Sequence, residues 1–127
     1  MKKEKHIKVR KISETLVDFT MPIIEMVAEY TTQEQLEQIF LIAVTVWNCV
    51  VISIVKKDNK YIDMLRDMIM EDKKILGGYS IVEALISRKK DFFADDLRGI
   101  GDFSISYSAG NLNVKAEARA INGVGIN

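Results

Sequence analysis

Residues 103–120 read FSISYSAGNLNVKAEARA, and this stretch separates a mixed fold from an all-helical one. Phe103, Ile105 and Tyr107 alternate with Ser104, Ser106 and Ser108. After Gly110-Asn111, Leu112, Val114, Ala116, Ala118 and Ala120 alternate with Asn113, Lys115, Glu117 and Arg119. A period of two puts successive side chains on opposite faces of a strand. Two such runs across a Gly-Asn turn predict a C-terminal antiparallel β-hairpin with one apolar face. A lone hairpin is marginal in water, so this one is expected to pack on other elements or to pair with another chain.

Upstream the period becomes helical. Ile12, Leu16, Phe19, Ile23, Val27 and Tyr30 recur every three or four residues, with Glu14, Asp18, Glu25 and Glu29 off the stripe. Pro22 interrupts this helix, since its ring removes a hydrogen bond and crowds the preceding turn. A kink near residues 18–21 is expected, or a break with Thr20 capping a second segment. Thr31 and Glu34 have capping-box spacing before a second helix over residues 33–56. Its main stripe is Leu36, Ile39, Phe40, Ala43, Trp47, Val50 and Ile54. Its many β-branched residues leave a strand over 49–55 as an alternative. Tyr61, Met64, Leu65 and Met68 mark a short third helix ending before Gly77-Gly78. Ser80 and Glu83 form another capping-box pattern, opening a fourth helix through Val82, Leu85, Ile86 and Phe93 to residue 94. The expected fold is therefore α+β and mainly helical: about four amphipathic helices, the second central and buried, then the hairpin.

The chain has the size of one domain, at 127 residues, and a globular composition with 48% hydrophobic and 28% charged residues. Residues 1–127 are read as a single domain with a basic flexible arm at 1–7 and a frayed tail at 122–127. The 18 basic and 18 acidic residues balance, so no long-range field draws the chain to nucleic acid or membrane. Residues 38–55, QIFLIAVTVWNCVVISIV, carry no charge. The apolar part from Ile39 to Val55 would extend about 26 Å as a helix, short of the ~30 Å hydrocarbon core. A buried central helix is expected there, not a membrane span. The single cysteine, Cys49, excludes an internal disulfide and fits a reducing cytoplasmic compartment. The basic start lacks the apolar segment of a signal peptide.

Motifs for chemistry are sparse. The one histidine, His6, lies in the arm, away from any nucleophile. One cysteine and one histidine do not make the usual structural zinc sets, and neither metal nor cofactor is expected. Gly77-Gly78 lacks P-loop spacing, and Gly99-x-Gly101 precedes a strand where a dinucleotide fingerprint opens a helix. Trp47-Asn48 stands out because a buried amide must find partners. Asn48 serves as a structural hydrogen-bonder, a register-fixing contact in a dimer, or a group lining a pocket walled by Trp47. Asp91, Asp95, Asp96, Arg98 and Asp102 cluster before the hairpin. They offer oxygen ligands without EF-hand spacing, or a loop in which Arg98 pairs with a carboxylate and pins the hairpin. A nucleic-acid surface would draw on Lys2, Lys3, Lys5, Lys8, Arg10 and Lys11 with Arg88, Lys89 and Lys90, but lacks interleaved aromatics. Met26, Met64, Met68 and Met70 read as core or as an adaptable binding surface. The leading expectation is a non-enzymatic interaction or regulatory module that self-associates. Nucleic-acid binding and a metal- or ligand-dependent enzyme at the aspartate loop are the alternatives.

Overall fold

A computed structural model describes residues 10–27, 32–71, 78–108 and 110–121. Within them the order is α1 (Ile12–Val27), α2 (Gln33–Lys56), α3 (Lys60–Glu71), α4 (Gly78–Phe92), β1 (Gly99–Ser108) and β2 (Asn111–Arg119). The fold is α+β and mainly helical, with the hairpin last. The arm at 1–7, the tail at 122–127, Tyr30, Thr31 and Gly77 lie outside the described residues.

α2 is the axis of the core and packs against α1, α3, α4 and β1. Leu36, Ile39, Phe40, Ala43, Val46, Trp47, Val50 and Val51 are all buried along it. Burying each of the larger of these side chains contributes about 1.5–3 kcal/mol, which outweighs the weak helix propensity of its valines and isoleucines. Residues 49–55 are accordingly helix, not strand. Ile54, placed on the buried stripe from sequence, is exposed near the helix end. α2 is long and apolar enough to cross a membrane by length and composition, and half of its most apolar window is buried within the fold. Its N-terminal capping box sits one residue later than expected. The Thr32 hydroxyl accepts from Gln35 N at 3.1 Å, and the Gln35 amide oxygen accepts from Thr32 N at 3.0 Å.

Ser80 lies inside α4, which already begins at Gly78, and so is not its N-cap. Glu83 instead takes a two-pronged contact from Arg66, which fastens α4 to α3. α4 ends at Phe92, two residues short of the expected boundary.

α1 runs unbroken through Pro22, and Thr20 does not cap a second segment. The Thr20 hydroxyl donates back to Leu16 O at 2.7 Å. Proline at 22 cannot donate to Asp18 O, which a buried helix must satisfy in another way. Arg88 of α4 does so. Its Nη2 donates to Asp18 O at 2.9 Å and its Nε to Phe19 O at 3.0 Å. The same guanidinium lies over the Phe93 ring, 5.4 Å from its centroid.

β1 and β2 pair antiparallel from Gly99↔Arg119 to Ser108↔Asn111. β1 ends at Ser108 and β2 begins at Asn111, so Asn111 belongs to the second strand and not to the turn. Gly110 has φ of 80°, the left-handed region that glycine enters freely. A register shift between Ile100 and Phe103 inserts one extra residue into β1. This bulge brings Ile100 and Phe103 to the same inner face, where simple alternation would have opposed them. Ile105, Tyr107, Leu112, Val114 and Ala116 complete that face against the helices. Ala118 and Ala120 are exposed. The other face is polar, from Ser104, Ser106 and Ser108 to Asn113, Lys115 and Glu117.

Replacing Arg88 by Met leaves Asp18 O without its donor and removes a second bond at Phe19 O, and should lower stability by about 1–3 kcal/mol in urea denaturation. Adding Pro22→Ala returns a backbone N–H to Asp18 O and should shrink that loss. An equal loss in both backgrounds would contradict the assignment.

Candidate functional site

The residues that carried chemical promise meet where α4 hands the chain to β1. α4 ends at Phe92, and the carbonyls of the loop that follows have no helical or strand ladder to donate to them, so this joint begins with a polar deficit. Lys89 answers it. Its side chain is fully buried, and Nζ donates to Phe93 O at 2.5 Å and Asp96 O at 2.7 Å. The ammonium stands 4.0 Å from the Trp47 ring centroid, where the aromatic face attracts a cation. Trp47 packs edge-on against Phe19 and Phe93, at 5.2 and 5.7 Å between centroids. Its indole N–H donates to Arg98 O at 2.7 Å.

Asn48, one residue on, turns toward β1. Its amide nitrogen donates to Ile100 O at 2.9 Å, and its amide oxygen accepts from Ile100 N at 2.8 Å. The side chain thereby imitates a neighbouring strand. Gln33, at the other end of α2, repeats the pattern. It donates to Ile105 O at 2.9 Å and accepts from Tyr107 N at 2.7 Å. The outer edge of β1 is closed by two amides from one helix.

Arg98 completes the joint. Its Nε and Nη2 hold the Asp96 carboxylate at 2.9 and 2.6 Å in a two-pronged pair. Its Nη1 donates to Arg10 O at 2.8 Å, and Nη2 reaches Thr15 Oγ1 at 3.4 Å, so the joint also grips the start of α1. Burial by itself would raise the Asp96 carboxyl. The hydrogen bonds from Arg98 and the charges of Arg98 and Lys89 outweigh it and hold the carboxyl below its ordinary value. Arg98 is raised, chiefly by its hydrogen bond to Asp96. Lys89 is lowered to about 8 by desolvation, against the pull of Asp96 and Asp95.

Trp47, Asn48, Asp96 and Arg98 are thus brought together, but their polar atoms face the protein's own backbone and one another. Asp91, Asp95 and Asp102 are exposed and stand apart from the Asp96–Arg98 pair. Among the described residues, no three or more His, Cys, Asp or Glu are placed to hold a metal ion. The basic candidates also separate. Lys2, Lys3, Lys5 and Lys8 lie outside the described residues, Arg10 pairs with Asp18 at 3.0 Å, and Lys11 is exposed. Of the 88–90 run, Arg88 and Lys89 hold carbonyls and only Lys90 faces solvent.

Two contributors escaped the sequence reading, Lys89 as a buried group and Gln33 as a strand partner. A signal for Lys89 existed: it falls on the stripe Val82, Leu85, Lys89 and Phe93, where a charge is out of place. Gln33 had none, since its partner lies 72 residues away in sequence. Comparison with family models, curated proteins and solved structures finds no match.

At pH 7 Lys89 is protonated in both folded and unfolded chains. Between about pH 8 and 10.5 the folded state releases this proton while the unfolded state keeps it, so folded stability rises with pH. Relative to Lys89→Met, the wild type should gain about 1–3 kcal/mol across that interval in urea unfolding. Parallel stability curves for the two proteins would refute the assignment.

Proposed function

We propose that this chain is a small non-enzymatic interaction module that acts as a homo-oligomer. The observation that carries this reading is the asymmetry of the hairpin. β1 has its outer edge closed by Asn48 and Gln33, whereas no described element pairs with the outer edge of β2. An open strand edge is a row of donors and acceptors ready for another strand.

A second feature supports the reading. On the side of α2 opposite its buried stripe, Leu41 is 56% exposed, and Ile42, Thr45, Cys49 and Ile52 are only half-buried. One turn apart on α3, Met64 and Met68 are exposed at 62% and 53%. Apolar side chains at such spacing suit the recognition of a partner surface, and methionines adapt to varied shapes. Trp47, Asn48 and Arg98 are engaged in bonds to the backbone and Asp96 in its pair with Arg98, which supports interaction over chemistry at this joint. Cytoplasmic residence belongs to the same proposal. It rests on the single thiol of Cys49, whose pKa burial pushes up, as befits a packed side chain more than a reactive one.

Static light scattering on the full chain should give a mass that is a multiple of the 14.4 kDa protomer. A mass of one protomer at every concentration up to the millimolar range would overturn self-association.

A further inference from the structure

We propose that two copies of this chain join antiparallel through the free edge of β2, about a two-fold axis at Ala116, forming one four-stranded sheet. The inference rests on the self-association reading and specifies its contact.

The hydrogen-bond geometry fixes which backbone groups are available. Gln33 is bonded to Ile105 O and Tyr107 N, so these residues turn their backbone groups away from β2. In an antiparallel ladder, opposed residues both face in or both face out. Val114 opposite Ile105 and Leu112 opposite Tyr107 therefore present their N–H and C=O groups outward. Beyond the bulge, Asn48 bonds both backbone groups of Ile100, whose partner is Ala118. Both ends of the hairpin thus agree that the even-numbered residues of β2 carry the free edge. A two-fold pairing must set even positions against even ones, so its axis passes through a residue and not between two.

The charges choose among these axes. Asn113, Lys115, Glu117 and Arg119 share the outer face of β2. An axis at 115 would oppose two lysines. One at 117 would oppose two glutamates and set Lys115 against Arg119. One at 114 pairs Lys115 only with Asn113. One at 118 would pair Glu117 with Arg119 but would keep only residues 117–119 of β2 in the ladder. An axis at Ala116 sets Lys115 against Glu117 of the second copy, and Glu117 against its Lys115, giving two opposite-charge pairs across one edge. The inner face admits the same arrangement. Ala116 would meet its own copy, and the exposed Ala118 of the second copy would lie opposite Val114. There, an open groove of about 470 Å³ separates Val114 from Val17 and Met21 of α1. Alanine is small enough to enter beside the helix.

The test uses charge reversal with sedimentation equilibrium on the full chain. Lys115→Glu and Glu117→Lys each place like charges at both contacts, and each should weaken the dimer about tenfold or more. Mixing the two variants in equal amounts puts opposite charges at both contacts again, and should restore a heterodimer of near wild-type affinity. The double variant K115E/E117K should recover likewise. Both single variants share the hairpin of the wild type in circular dichroism if the contact alone is lost, and recovery on mixing excludes unfolding as the cause. Ala116→Pro, which removes an outward N–H and no bond to β1, should also abolish the dimer. An oligomer indifferent to these changes, or failure to recover on mixing, overturns this contact while leaving self-association standing. A wild type that stays monomeric overturns both. A monomer with slow-exchanging Leu112, Val114 and Ala116 amides shows an edge already closed within the chain, and also overturns the proposal.

Discussion

Backbone N–H and C=O groups withdrawn from water must find partners, and in this protein side chains supply many that secondary structure does not. Asn48 and Gln33 act as a strand for β1. Arg88 takes the carbonyl that Pro22 leaves without a donor. Lys89 takes Phe93 O and Asp96 O in the loop after α4, Trp47 takes Arg98 O, and Arg98 takes Arg10 O. These bonds join elements far apart in sequence. They explain how a two-stranded sheet, marginal alone, holds a fixed place against the helices.

The same economy changes the meaning of the polar residues. An asparagine in an uncharged helix and an aspartate-rich loop beside an arginine look like the parts of a site. Asn48, Asp96 and Arg98 instead bond the protein's own backbone and one another. Lys89 is the extreme case: a fully buried ammonium, desolvated against Trp47, is tolerated because two carbonyls and two nearby carboxylates offset its burial. What the internal bonds leave free is elsewhere. Among the described residues it lies along the edge of β2, on the outer stripe of α2 and on the methionines of α3.

Much of the fold was legible because it depends on period. The change from 3.6 to 2 near residue 100 marked the helices from the hairpin, and the uncharged run at 38–55 marked the central helix. Features depending on a single extra residue or on remote partners were not legible. The bulge after Ile100 shifts which side chains face inward, and nothing local in Gly101-Asp102 requires it. The capping box moved from Thr31 to Thr32 because threonines and glutamate or glutamine recur at neighbouring positions there. Arg88 and Lys89 read as part of a basic surface, although both turn inward to backbone carbonyls, Arg88 to α1 and Lys89 to the loop after α4. The meeting of Trp47, Asn48, Asp96 and Arg98 needed the approach of α2 to the α4–β1 joint, which links positions about fifty apart.

Amide hydrogen exchange at Ile100 and Tyr107 is the most direct test, because both amides donate to side chains of α2. The account predicts that both amides are protected as strongly as the Ser104 and Ser106 amides that face β2. It further predicts that Asn48→Leu selectively frees Ile100. Exchange of Ile100 and Tyr107 in the wild type at the rate of unstructured peptide would contradict it.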